Sequence, residues 1–177
     1  MQALVVFESM FGNTQEVARA IADGLSTRMG VEIVEVGVAE RRAGVDLLVV
    51  GGPTHAFGMT RPRTRADAAQ QQGGPVISGG DGVREWLESL GDLPSGVRAA
   101  AFDTRVSHPR MPGSAAHAIH KRLRRAGAEL VADPASFWVE GSQGPLLIDE
   151  TSRAREWGVM LAGKVAVRPG EAPRPTS

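Results

Sequence analysis

Residues 5–16 of the chain read VVFESMFGNTQE, an apolar strand that runs directly into a short loop and the start of a helix. The first turn of a helix offers unpaired N–H groups and the positive end of the helix dipole, so it stabilises an anion without lysine or arginine. Ser9 and Thr14 add hydroxyl donors, and Gly12 allows close backbone approach and a positive φ. The stretch therefore predicts a phosphate-binding loop between the first strand and the first helix.

Two common phosphate loops do not match this stretch. The pattern G-x-x-x-x-G-K-[ST] needs a lysine that is missing, and G-x-G-x-x-G needs a glycine spacing that is missing. The loop is therefore expected to hold a monophosphate without magnesium. The alternative is an ordinary strand-to-helix turn that is capped by Ser9 or Thr14.

Length and composition narrow the class of protein. A chain of 177 residues is long enough for one well-filled domain and too short for two ordinary ones. The absence of cysteine excludes disulfides, thiolate zinc sites and a cysteine nucleophile. The 20 basic and 20 acidic residues balance, which argues against nucleic acid as a partner. With no basic leader and no apolar run of ~18 residues, we expect a cytoplasmic protein that does not use a membrane.

Apolar strands alternate with amphipathic helices along the chain. The patterns predict helices at residues 14–29, 82–90, 115–126 and 150–166, and later strands at 31–36, 46–52, 96–102 and 129–139, the last interrupted at Pro134. Residues 54–82 are expected to form a long irregular loop. Because parallel strands need crossover helices, these elements predict an α/β fold with a doubly wound, five-stranded parallel sheet at residues 1–167. The proline-rich tail at 168–177 is expected to be disordered.

Two loops resemble those of the flavodoxin family. The pattern Ser9-x-x-Gly12-x-Thr14 resembles the family's loop for the phosphate of FMN, and GGPTHAFGM at residues 51–59 resembles its Gly-x-Pro-Thr loop beside the flavin ring. The resemblance implies the strand order 2-1-3-4-5, with FMN outside the carboxyl ends of strands one, three and four. The residues that it implies for cofactor binding are Ser9, Met10, Phe11, Gly12, Asn13, Thr14, Pro53, Thr54, His55, Ala56, Phe57, Gly58, Asp103, Thr104 and Arg105, the last three in a loop after strand four.

The chain departs from electron-carrying flavodoxins in two respects. Those proteins are typically acidic and stack the flavin between a Trp and a Tyr, whereas this chain has no net charge and no tyrosine, and its three tryptophans lie outside the two loops. His55, Phe57 and Trp138 are the available ring-wall residues. For Phe57, a core position at the base of its loop is the alternative.

Three functions are compatible with these residues. The first is an FMN-binding protein that takes part in electron transfer with an unidentified redox partner. The second is an FMN-dependent reductase of a small oxidant that uses NAD(P)H, with His55, Arg105 and residues 61–82 around the reactants. The third is a flavodoxin-fold interaction module without flavin. No catalytic residue is assigned. No metal site is expected, because His117 and His120 lack accompanying carboxylate or thiolate ligands.

Overall fold

The computed structural model describes residues 1–40, 44–55, 57–109 and 112–166. Strands and helices alternate along this part of the chain. In order they are β1 (Gln2–Phe7), α1 (Asn13–Leu25), β2 (Gly30–Glu35), a 3₁₀ turn (Val36–Val38), β3 (Leu47–Pro53), α2 (Pro62–Gln72), α3 (Val83–Leu90), β4 (Arg98–Val106), α4 (Ala115–Arg125), β5 (Glu129–Leu130), β6 (Ala135–Val139) and α5 (Glu150–Ala166).

All strand pairs that form the central sheet are parallel, and its order is β2-β1-β3-β4-β5. β6 also pairs with β4, farther along the same edge: β5 lies opposite Arg98 and Ala99, and β6 lies opposite Phe102–Val106. The predicted order 2-1-3-4-5 is confirmed. The fifth position holds two short strands, separated at the predicted interruption around Pro134.

The sheet is covered on both faces, as the apolar composition of β3 predicts. Leu47 and Val49 face a core shared with α1 and α5, while Leu48 and Val50 face a second core shared with α3 and α4. All residues of β3 are buried, whereas β2 at the edge of the sheet stays partly exposed. This arrangement leaves the carboxyl ends of the strands free to form a site.

β4 is longer than the sequence patterns predict. The expected end was Phe102, but the strand continues to Val106 because β6 and β3 pair with its last residues. The expectation that Asp103, Thr104 and Arg105 form a loop is therefore wrong. They lie at the C-terminal end of β4, where alternate side chains point to opposite faces of the sheet.

The expectation of an irregular loop at residues 54–82 is also wrong, because α2 lies within it. Pro62 occupies the first turn, where its missing N–H costs nothing, and Gly73 ends the helix with a φ of 71°. The helix lacks an apolar stripe and buries only Arg65 and Ala68. A search for apolar periodicity therefore misses it.

The remaining helices agree with the sequence patterns, except that α1 ends at Leu25 and not at residue 29. Ser114 caps α4 by accepting the His117 N–H, as expected, and α5 buries Ala154, Leu161 and Val165 on its inner face. Among the helices of the described residues, none has the length and apolar content needed to cross a bilayer. The tail predicted at 168–177 lies outside the described residues.

Candidate functional site

The carboxyl ends of β1, β3, β4 and β6 meet around a partly open cavity of about 290 Å³. Ligands of doubly wound sheets bind at this edge. The predicted site residues that line the cavity are Ser9, Met10, Phe11, Asn13, Thr14, Pro53, Thr54, His55, Thr104 and Arg105. The structure thus brings residues from all three predicted segments together. Gly12, Phe57, Gly58 and Asp103 do not line the cavity, and Ala56 lies outside the described residues.

The loop before α1 is curled around the Ser9 hydroxyl. Its Oγ accepts the N–H of Gly12 at 3.1 Å and the N–H of Gln15 at 3.4 Å. Gly12 has a φ of 97°, a left-handed conformation that a side chain would strain. Gly12 therefore shapes the loop although it does not line the cavity.

Curling the loop in this way leaves its other N–H groups available. In the part of the chain that the structure describes, no hydrogen bond occupies the N–H of Met10, Phe11, Asn13 or Thr14. These groups sit at the N-terminus of α1, where the helix dipole favours negative charge. The loop fits a monophosphate whose charge is met by backbone donors.

Thr14 and Thr104 join α1 to the end of β4. Their hydroxyl oxygens are 2.7 Å apart and both residues are buried. Thr104 thus reaches the site from the strand itself. The pair places two hydroxyl groups on the cavity wall next to the loop.

Asp103 faces α4, on the opposite side of the sheet from Thr104. Its Oδ2 accepts the hydroxyls of Thr54 and Ser114, each at 2.7 Å, and the N–H of Ala116 at 3.0 Å. The carboxylate thereby links the loop after β3 to the start of α4. Asp103 does not line the cavity, but it holds in place Thr54, which does.

The loop after β3 is a tight hairpin. The His55 N–H donates to Gly58 O at 2.9 Å, and the Gly58 N–H donates to His55 O at 3.1 Å. Phe57 has a φ of 75° and is 56% exposed, so the alternative of a core position is wrong. His55 does line the cavity, and burial lowers its pKa, which keeps the imidazole neutral at neutral pH.

Arg105 reaches the cavity from the end of β4. Its guanidinium carbon lies 5.4 Å from the centroid of the Trp138 ring, within cation–π distance. Arg105 lines the cavity and Trp138 supports it from β6. A positive charge is therefore held near the carboxyl edge of the sheet by an aromatic ring.

Seven lining residues are not among the predicted cofactor-binding residues, although four of them lie in the segment 61–82 that the reductase hypothesis places around the reactants. Val106, Val139 and Ser142 follow from the longer β4 and from β6, and four others lie on α2: Thr64, Asp67, Ala68 and Gln71. The α2 residues have the spacing i, i+3, i+4 and i+7 of one helix face. That spacing could have indicated a helix face, but three of the four side chains are polar, so a search for an apolar face does not find it.

A buried polar cluster connects α2 to the core. Glu8, the residue before the loop, accepts the Thr60 hydroxyl and the Val83 N–H, and Arg65 lies 4.0 Å from its Oε1. Burial raises the pKa of Glu8, although these three partners act in the opposite direction. Arg65 also donates to Thr60 Oγ1 at 3.0 Å and to Glu85 Oε2 at 3.1 Å. The cluster fixes the N-terminal half of α2 against β1 and α3.

Comparison with solved structures places the chain among flavodoxin-like folds. A flavodoxin from the domain Archaea superposes with a TM-score of 0.68 at 20% identity, over 94% of this chain and 100% of that chain. Flavodoxin 1 of Bacillus cereus gives 0.67 at 18%, over 92% and 98%. The Flv1 flavodiiron core of Synechocystis gives 0.64 at 15%, over 94% of this chain but 36% of that chain. No family model and no curated protein sequence matches. The fold is flavodoxin-like, as the two loops indicated.

Proposed function

We propose that this chain binds FMN and takes part in electron transfer. The observation that supports the proposal most is the loop at residues 9–14, whose free N–H groups meet at the ligand-binding edge of a flavodoxin-like fold. The donor set suits a phosphate monoester, because each N–H can donate to a phosphate oxygen and the helix dipole adds to the attraction. Neither magnesium nor a basic side chain is required.

The cavity also suits the rest of such a ligand. Its volume of about 290 Å³ lies just below the ~300–1,000 Å³ range of small-molecule pockets, and the cavity is partly open. His55, Arg105 and Val106 line the cavity at the carboxyl ends of β3 and β4 and would flank the ring. When bound, FMN supplies reversible one- and two-electron chemistry that no side chain of this chain provides.

The side chains near the ring position have separate roles in this proposal. Arg105, held against Trp138, contributes positive charge that stabilises a more negative ligand. His55 is neutral, so it can donate one hydrogen bond and accept another. Phe57 lies outside the cavity with more than half of its surface exposed, where it is available to a redox partner.

The experiment loads the apoprotein with FMN, removes free flavin, reduces the complex without oxygen and mixes it with oxidised cytochrome c. We expect the flavin bands to persist after desalting and the reduced complex to pass two electron equivalents to cytochrome c. Loss of all flavin on desalting would contradict the proposal and favour the third function, an interaction module without flavin. Rapid reduction of bound flavin by NADPH alone, with turnover of a small oxidant, would favour the reductase.

A further inference from the structure

The inner face of α2 is polar where an amphipathic helix is normally apolar. Thr64, Asp67, Ala68 and Gln71 share one face and all line the cavity. Only Ala68 among them is buried, and the helix packs little against the sheet. This face of α2 therefore forms one wall of the cavity.

The position of α2 is fixed at both ends. Its N-terminal half is held by the buried Arg65 cluster. The segment after the helix pairs with the phosphate loop: the Ser78 N–H donates to Ser9 O at 2.9 Å, and the Ser9 N–H donates to Ser78 Oγ at 3.0 Å. The Ile77 N–H also donates to Met10 O at 3.3 Å. These bonds hold the segment after α2 against the loop at residues 9–14.

A third connection closes the wall beside the phosphate loop. Gln71 Nε2 donates to Ser142 Oγ at 3.1 Å, and Gln143 Nε2 donates to Gln71 O at 3.4 Å. Asn13 Nδ2, at the start of α1, donates to Gln143 O at 3.0 Å. The phosphate end of the cavity is thus bordered by α1, α2 and the turn after β6.

The polar side chains of this face differ in how many of their hydrogen-bonding atoms already have a protein partner. The Thr64 hydroxyl is already used, because it accepts the Arg61 N–H at 2.9 Å and donates to Arg61 O at 3.0 Å. The amide of Gln71 is bonded to Ser142. In the described part of the chain, the carboxylate of Asp67 has no hydrogen bond and no ion pair. Asp67 is exposed at the cavity wall, and it is the charged group of this face whose oxygens can accept hydrogen bonds from a ligand.

We propose that Asp67 recognises the hydroxyl groups of a phosphorylated polyol, which in FMN is the ribityl chain. This inference rests on the proposed function. With the phosphate at the loop and the ring beside His55, the chain between them passes under α2. An ionised carboxylate accepts hydrogen bonds and donates none, so Asp67 selects a stretch of hydroxyl donors. It also disfavours a second anionic group at that position.

The test compares Asp67→Ala with the unaltered protein, using FMN and inorganic phosphate as separate probes. We expect Asp67→Ala to weaken FMN about tenfold, ~1.4 kcal/mol, as for one lost hydrogen bond to a charged group. Phosphate should bind equally well or more tightly, because a nearby negative charge is gone. Calorimetry measures the affinity for FMN, and NMR shifts of the N–H groups in the loop at residues 9–14 measure the affinity for phosphate.

The matched control is Gln70→Ala, an exposed change on the outer face of the same helix. It should alter neither affinity. FMN affinity that is unchanged or higher in Asp67→Ala would overturn the inference, and so would parallel weakening of both probes with a lower Tm, since that indicates a structural role. If the unaltered protein does not bind FMN, the proposed function itself fails, which is a different result.

Discussion

Replacing Arg65 with methionine tests how α2 is attached to the core. Arg65 is 5% exposed, and Glu8 beside it is 1% exposed. The substitution keeps most of the aliphatic stem but removes the hydrogen bonds to Thr60 and Glu85 and the charge 4.0 Å from Glu8. A unit charge pair at that distance is worth about 4 kcal/mol at an effective dielectric constant of 20. Breaking a buried ion pair typically costs about 3–5 kcal/mol, so we expect a loss of this size at neutral pH.

The loss should depend on pH in a defined direction. Burial raises the pKa of Glu8, so Glu8 stabilises the folded state at low pH and this contribution disappears as pH rises through the folded pKa. Arg65 is one of the groups that lower this pKa. Without Arg65 the pKa of Glu8 rises further and the buried carboxylate becomes more costly when ionised. The destabilisation should therefore be larger at about pH 8 than at about pH 5.

Urea unfolding at several pH values measures both effects. Arg63→Met is the control, because Arg63 is exposed on the same helix and should change the free energy of unfolding by no more than ~0.5 kcal/mol. The double variant Glu8→Gln with Arg65→Met should recover part of the loss, since both buried charges are gone. A cost for Arg65→Met that equals that of Arg63→Met, or that is the same at both pH values, would refute the reasoning.

Three further substitutions have defined outcomes. Gly82→Ala would place a Cβ 2.5 Å from Nη1 of Arg65, so we expect a loss of about 1–3 kcal/mol in urea unfolding, and an unchanged midpoint would contradict this contact. Gly12→Ala forces a side chain into a φ of 97°, which should cost about 1–2 kcal/mol and weaken FMN by calorimetry; unchanged FMN affinity would argue against the loop. Thr104→Val leaves the buried Thr14 hydroxyl without its partner and should lower the stability of the apoprotein by about 1–3 kcal/mol, whereas a neutral result would show that the pair is unimportant.

The sequence patterns predict the elements whose apolar residues face a core. β3 is apolar throughout because both of its faces are covered, and α5 carries Ala154, Leu161 and Val165 at helical spacing because one face packs on the sheet. The tight loop at residues 9–14 could also be predicted, since the positive φ of Gly12 and the hydrogen bond that the Ser9 hydroxyl accepts depend on residues close together in sequence.

The features that were missed depend on contacts distant in sequence. β4 extends past Phe102 because β6, more than 30 residues away, supplies hydrogen-bonding partners. Which face Asp103 points to follows from that extension. α2 escapes detection because its inner face meets a cavity, and polar residues such as Asp67 replace the apolar stripe. The Glu8–Arg65 pair joins the residue after β1 to α2. The two residues are far apart in sequence, so no local pattern predicts their contact.

Titration of the apoprotein with FMN and with riboflavin tests the central claim most directly. The two flavins share the ring and the ribityl chain and differ in the phosphate. If the loop at residues 9–14 holds that phosphate, FMN should saturate at one equivalent and bind about 100-fold more tightly than riboflavin, ~2.7 kcal/mol. Equal affinities, or no saturation by FMN, would contradict the assignment of this edge of the sheet as an FMN site.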